Sequence, residues 1–404
     1  MNQPIRVIVV DDSALMRRVI TGMIEQDPAI RVVGAASNGR EAIALVKELR
    51  PDIVTMDVRM PLMDGLETTE HLMAYCPIPI LVLTASLASH EVDITFKMLG
   101  AGALEIFEKP SGSSPLALER AGAELIRRIK VLSRVKVVTH LRGRRKGTSG
   151  TVSREPVGTR RYGDKETRDR RQETSCSSPV SSLQSPVSSL QSPALPLSRS
   201  PGLREFPLIV IGASTGGPRV VHQILGALPA TLPAAVLIVQ HIAAGFGVGM
   251  VEWLSHASKL PVSLAEEGQT IRPGQVLVAP DRRDLLITLE GQVHLSENPL
   301  LIQRPAIDIA MQAAAEVFGP RAVGVLLTGM GRDGAYGLLT IRRARGYTIA
   351  QDEASSAIFG MPRAAIQIDA VDEVLPPSRM AARLVELVAE INRTSTGQPQ
   401  RSGL

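Results

Sequence analysis

The sequence predicts an α/β protein: two doubly wound parallel sheets, the second carrying an inserted β-hairpin, joined by a long disordered linker. Three observations point there. Short apolar runs alternate with stretches of helical apolar spacing through residues 4–122 and again through 207–393. Polar residues of chemical interest follow the apolar runs, at the carboxyl ends where open parallel sheets bind ligands. Between the two patterned regions, residues 131–206 turn basic and then Ser/Pro-rich, and the periodicity stops.

In the first region Ile5–Val10, Ile30–Ala36, Ile53–Met56, Ile78–Leu83 and Leu104–Phe107 read as buried strands. Ser13–Ile24, Asn38–Leu49, Gly65–Ala74, Ser89–Leu99 and Leu116–Ile129 carry the helical spacing. Repeated βα units require a sheet covered on both faces. Asp11 and Asp12 follow the first strand, Asp57 follows the third, Thr84 ends the fourth and Lys109-Pro110 follows the fifth. Carboxylates gathered at one sheet edge repel each other, so a hard cation is expected there. Mg²⁺ takes oxygen ligands and keeps several waters. One carboxylate can then act as nucleophile toward a phosphoryl group. Lys109 would pair with the added charge and Thr84 would donate its hydroxyl to it.

This constellation resembles the receiver (response regulatory) domain of two-component systems over essentially the whole of residues 4–122. The resemblance implies a flavodoxin-like fold and a histidine kinase as phosphodonor. It makes Asp57 the phosphoacceptor, gives Mg²⁺ to Asp11, Asp12 and Asp57, and puts Thr84 and Lys109 on the phosphoryl group. The position where such domains carry an aromatic switch falls near Ile106, which is aliphatic.

The connecting segment holds most of the basic character. Arg127 to Arg171 contains 16 Lys or Arg against 4 Asp or Glu, while the whole chain is only +5. The remainder is therefore acidic overall, and the basic pI gives no support to nucleic-acid binding by the folded parts. The heptad S-P-V-S-S-L-Q occurs at 178–184 and again at 185–191. Its prolines exclude a coiled coil. A flexible linker of roughly 70 residues has an r.m.s. span of about 45–50 Å, and the effective concentration of a tethered partner falls as such a linker lengthens. Residues 394–404 read as a disordered tail.

In the second region Leu208–Ile211, Ala235–Val239, Ala322–Leu327 and Thr348–Ala350 read as buried strands. Val220–Leu228, Pro305–Phe318 and Ala335–Arg345 fit helices, and Val276–Val278, Leu285–Leu289 and Gln292–Leu295 look like additional β-structure with a turn at Glu290-Gly291. Gly212-Ala213-Ser214-Thr215-Gly216 lies between the first strand and its helix. The glycines permit a sharp turn there, which leaves the serine oxygen at a helix N-terminus where an oxyanion is favoured. A serine hydroxyl attacks poorly unless a neutral imidazole takes its proton, and the imidazole needs a carboxylate to fix its tautomer. His241 ends one strand and Asp333 follows another, so both can converge on Ser214. The backbone N–H of Thr215 is a candidate oxyanion donor, with a second from the Gly329–Gly331 turn. The order Ser, His, Asp differs from the Ser, Asp, His order of α/β-hydrolases. A histidine base works neutral, so activity is expected to rise through about pH 6–7.

Residues 207–393 resemble the catalytic domain of the CheB family of chemotaxis protein-glutamate methylesterases. The matching stretches are Gly212–Gly217, Gln240-His241, Leu327–Gly334, Ala350–Ser355 and Phe359–Pro362. The resemblance implies a Rossmann-like sheet with Ser214 as nucleophile, His241 as base, Asp333 as orienting acid and Met330 as an oxyanion donor through its backbone. It implies demethylation of glutamate 5-O-methyl esters, and deamidation of glutamines, on methyl-accepting chemoreceptors. No cofactor is needed for the ester chemistry. It also implies that the unphosphorylated receiver covers the esterase site and that phosphorylation releases it. The alternative is a receiver-controlled interaction module whose esterase-like domain is inactive.

Composition fits these readings. The chain is 44% hydrophobic but only 3% aromatic, so its cores must be built from Val, Ile, Leu, Ala and Met. Two cysteines, Cys76 and Cys176, give no disulfide framework. The N-terminus lacks a basic signal region, and no apolar run is long enough to span a bilayer. The expectation is a cytoplasmic protein that acts at membrane-bound receptors without being embedded.

Overall fold

A computed structural model describes residues 3–85, 89–110, 114–137, 205–297 and 305–395. The heptad repeats and nearly all of the connecting segment lie outside the described residues, as does the tail from 396 onward.

The first sheet contains β1 (Ile5–Val10), β2 (Ile30–Ala36), β3 (Ile53–Asp57), β4 (Ile80–Thr84) and β5 (Glu105–Glu108), in the order β2-β1-β3-β4-β5. Every pairing is parallel. The helices are α1 (Ala14–Ile24), α2 (Gly39–Leu49), α3 (Gly65–Tyr75), α4 (Ser89–Ala101) and α5 (Pro115–Leu132). Polar caps set their starts: Ser13 accepts from the Met16 N–H, Asn38 from that of Glu41 and Asp64 from that of Glu67. Burial of both sheet faces leaves β3 and β4 with no exposed residue. Asp57 is the last residue of β3 rather than the first beyond it, and α5 continues to the fully buried Leu132, into the stretch read as linker.

The second sheet has seven strands in the order β14-β13-β12-β6-β7-β9-β8, all paired in parallel. These are β6 (Leu208–Ala213), β7 (Ala235–Gln240), β8 (Val262–Leu264), β9 (Val276–Val278), β12 (Ala322–Leu326), β13 (Tyr347–Gln351) and β14 (Glu373–Leu375). The antiparallel hairpin is β10 (Asp284–Ile287) with β11 (Val293–Ser296). Helices α6 (Gly217–Ala227), α7 (Gly247–Ser255), α8 (Ile307–Phe318), α9 (Ala335–Arg343), α10 (Met361–Gln367) and α11 (Pro377–Ser395) complete the layers. Val276–Val278, read as additional β-structure, joins the main sheet beside β7: all three residues are buried and pair with Val236–Ile238.

The chain leaves β6 toward β7 on one side and returns through β12 on the other. That reversal is the crevice where open α/β sheets bind ligands. Both sheets fall in one compact unit, joined by α4 and α7. Phe96 stacks on Trp253 with ring centroids 5.5 Å apart. A Cβ on Gly249 would sit 1.8 Å from Val92 Cγ1, so glycine is what lets the two helices meet. No helix among the described residues is long and apolar enough to cross a membrane.

Candidate active site

Ser214 follows β6 directly and is 8% exposed. Its N–H donates to the Thr328 carbonyl, and its own carbonyl accepts from Gly217 N–H and Gln240 Nε2. The turn needs its glycines. Gly216 has φ +75°, and a Cβ on Gly217 would lie 2.6 Å from Ala213 Cβ. Register places His241 beside Ser214: Ala213 pairs with Gln240 across β6 and β7, and the His241 N–H donates to the Ala213 carbonyl. Asp333 comes from the loop between β12 and α9, on the other side of β6.

His241 Nε2 lies 2.7 Å from Asp333 Oδ2. Asp333 Oδ2 also accepts from Ile307 N–H at 2.8 Å, and Oδ1 accepts from Asp308 N–H at 2.9 Å. Burial pushes this carboxyl up, but the His241 hydrogen bond and charge, with the two N–H groups, outweigh it and hold it below the ordinary range. An ionised carboxylate only accepts, so Nε2 carries the proton and Nδ1 is left as the acceptor. Nδ1 is buried and has no hydrogen-bond partner among the described residues. The ring is thus turned opposite to the serine-protease arrangement, where Nδ1–H faces the acid.

Ser214, Thr215, His241 and Met330 line a cavity of about 460 Å³. Of the proposed oxyanion turn, Gly329 N–H is already engaged by the Ile358 carbonyl, leaving Met330 and Gly331 as its candidates. The other wall of this cavity comes from the first sheet. Thr215 Oγ1 donates to Glu105 Oε2 at 2.7 Å, and Gly216 N–H donates to the Leu104 carbonyl at 3.2 Å. Arg127 Nη1 reaches Met330 Sδ at 3.4 Å, while Arg128 pairs with Glu105 and Glu124.

At the end of the first sheet, Asp11, Asp12 and Asp57 each present an oxygen within 4.8 Å of the others, a hard oxygen set that suits Mg²⁺. Lys109 Nζ lies 2.7 Å from Asp11 and 2.8 Å from Asp57. Burial raises the Asp57 carboxyl above its ordinary value even beside Lys109. Burial alone would lower the Lys109 ammonium, but its bonds to Asp11 and Asp57 raise it. Thr84 is buried at the end of β4, and its carbonyl accepts from Lys109 N–H. Ile106 of β5 is buried.

Several supporting residues have no role assigned by the sequence. Gln240 Nε2 ties the carbonyls of Ser214 and His241 together, each at 2.9 Å. The signal was available: a lone amide closes an otherwise apolar strand, Ala-Val-Leu-Ile-Val-Gln. Thr328 Oγ1 holds the Thr215 carbonyl, and Gln351 accepts from Thr328 N–H. Glu105 and Asp308 gave no chemical signal, because their partners are distant in sequence.

The comparisons agree on family. The CheB methylesterase family profile matches residues 209–384, and the response regulator receiver domain profile matches 7–121. A protein-glutamate methylesterase/protein-glutamine glutaminase of Syntrophus aciditrophicus is 39% identical, covering 96% of this chain and 99% of that protein. One from Anaeromyxobacter dehalogenans is 40% identical, covering 96% and 98%. The crystal structure of the Thermotoga maritima CheB methylesterase catalytic domain superposes with TM-score 0.44 at 35% identity, covering 45% of this chain and 99% of that one.

Proposed function

Because the chain belongs to the CheB family of receiver-linked methylesterases, we propose that it hydrolyses glutamate 5-O-methyl esters on chemoreceptors, with Ser214 as nucleophile. The observation that carries this reading is the buried, unpartnered His241 Nδ1 with Nε2 held by Asp333, in the cavity that Ser214 lines. In the first step Nδ1 takes the hydroxyl proton as Oγ attacks the ester carbonyl. The tetrahedral oxyanion takes hydrogen bonds from the N–H groups of Thr215 and Met330. The imidazolium returns its proton to the departing methoxide, and methanol leaves an acyl-Ser214. Water, deprotonated by Nδ1, then attacks that ester and frees glutamate and Ser214. Asp333 stays ionised throughout and stabilises the imidazolium. A glutamine amide follows the same route with ammonia leaving, in line with the glutaminase activity named for the relatives.

Asp57 is the phosphoacceptor in this reading, and a histidine kinase supplies the phosphoryl group. Asp11, Asp12 and Asp57 would hold Mg²⁺, which neutralises the charge of the incoming phosphoryl oxygens when bound. Lys109 and Thr84 stand ready to contact that group. The contacts of Glu105, Leu104 and Arg127 on the esterase cavity support receiver control by occlusion. The test is release of labelled methanol from methylated receptor membranes with and without a small phosphodonor. Methanol release that rises with the phosphodonor is expected. No release from any methylated receptor would overturn the reading.

A further inference from the structure

Asp333 sits in a reciprocal arrangement with a second carboxylate. The N–H groups of Ile307 and Asp308, at the start of α8, donate to the two oxygens of Asp333. Asp333 itself stands two residues ahead of α9. The start of α9 answers in kind, since Gly337 N–H donates to Asp308 Oδ1 at 2.7 Å. Each helix N-terminus therefore holds the acid supplied by the other, where free N–H groups favour negative charge.

The helices reach this distance only because two residues lack side chains. A Cβ on Gly337 would lie 2.6 Å from Met311 Cβ and 3.1 Å from Asp308 Cα. A Cβ on Gly334 would lie 2.8 Å from Ile307 Cγ2, and Gly334 has φ +87°. Neither carboxylate is on a freely solvated surface, and the Asp308 carboxyl is pushed up to about 6. Burial is the largest cause, Gly337 N–H opposes it, and the charge of Asp333 adds to it. At neutral pH Asp308 is thus mainly ionised and senses Asp333. The other charged groups around this pair are few. His241 bonds Asp333, Asp284 of β10 accepts from Ala306 N–H just before α8, and Arg332 is exposed.

We propose that Asp308 is a positioning residue for the hydrolysis: its carboxylate locks α9 to α8, keeps Asp333 aimed at His241, and adds negative charge behind the imidazolium. This rests on the reading of Ser214, His241 and Asp333 given above.

The test uses the full chain with phosphodonor and methylated receptor membranes, measuring kcat and KM across pH 5–9. Asp308→Asn keeps an oxygen for Gly337 N–H but loses the charge. Its kcat is expected to fall about threefold with KM unchanged, and the acid limb should move down by about half a pH unit. Removing negative charge disfavours the imidazolium, hence that direction. Asp308→Ala loses the tie as well, and kcat is expected to fall about ten- to a hundredfold. Thermal unfolding of Asp308→Asn at pH 8 should show no lowered Tm, since burial opposes the charged form, so the lost rate would not reflect a damaged fold. If Asp308→Asn has wild-type kcat and an unmoved acid limb, the proposal is overturned whether or not Asp308→Ala folds. Ser214→Ala is run in parallel. Abolished release there with an unaltered Asp308→Asn overturns only the positioning role, whereas retained release in Ser214→Ala overturns both.

Discussion

The chemistry at the residue scale turns on which imidazole nitrogen is bare. Asp333 faces Nε2 and, being ionised, can only accept, so the free lone pair is on Nδ1. Nitrogen-15 NMR of the histidines should therefore find His241 protonated at Nε2 above its titration; the Nδ1–H tautomer would contradict the geometry. Asp333→Asn follows from the same logic. An amide turned to donate to Nε2 would drive the proton onto Nδ1, where it blocks acceptance from Ser214. The corresponding change in serine proteases lowers kcat by about 10⁴-fold, and a loss on the order of 10³–10⁴ is expected here. A tenfold loss or less, measured by methanol release, would mean that Asp333 does not set the tautomer. Asp333 is also expected to stay ionised throughout the working pH range, because its carboxyl is held below the ordinary value.

At the scale of elements, β5 is the strand that ties the two sites together. Lys109, just beyond its end, touches Asp57, while Glu105 at its start accepts from Thr215 beside Ser214. A shift of this strand on phosphorylation would be felt at both ends. A hydrogen bond to a charged group contributes about 1.5–3 kcal/mol. Glu105→Ala should therefore raise methanol release without phosphodonor by several-fold or more; an unchanged basal rate would remove β5 from the control route. The α4–α7 contact makes a second prediction. Gly249→Leu forces a side chain into Val92 and should loosen the docked receiver, again raising basal release while the phosphodonor-stimulated rate changes little.

Much of this scale was legible in the sequence, since all-apolar runs such as Ala235–Val239 have few other readings and Ser13 and Asn38 mark helix starts. Strand ends were less so. Asp57 and Gln240 are polar yet belong to their strands, because the ladder continues until a turn breaks it. The short strands Val262–Leu264 and Glu373–Leu375 escaped notice, being three residues each and partly exposed. Ser214 and His241 were readable because each directly follows a strand, and Asp333 because its loop joins a strand to a helix. Glu105 and Asp308 act through contacts that only the tertiary structure creates, and periodicity carries no trace of them.

The whole molecule couples an acidic cluster to a hydrolytic cavity through a shared packed boundary. Phe96, Trp253 and Phe246 form its apolar part, and the Glu105–Thr215 and Arg127–Met330 contacts form its polar part beside the cavity. In the proposed mechanism regulation needs Mg²⁺, which Asp11, Asp12 and Asp57 would hold, whereas the ester chemistry needs no metal. Chelation with EDTA is therefore expected to abolish stimulation by phosphodonor and leave basal methanol release unaltered. Loss of the basal rate as well would place a metal in the hydrolytic step.

In the proposed mechanism Ser214 forms the acyl intermediate. Its most direct measurement is methanol release from one preparation of methylated receptor membranes by wild-type protein and by Ser214→Ala, both with saturating phosphodonor. The alanine variant is expected to fall to the rate of membranes alone while its thermal unfolding matches wild type. Release that persists in the folded variant would contradict it.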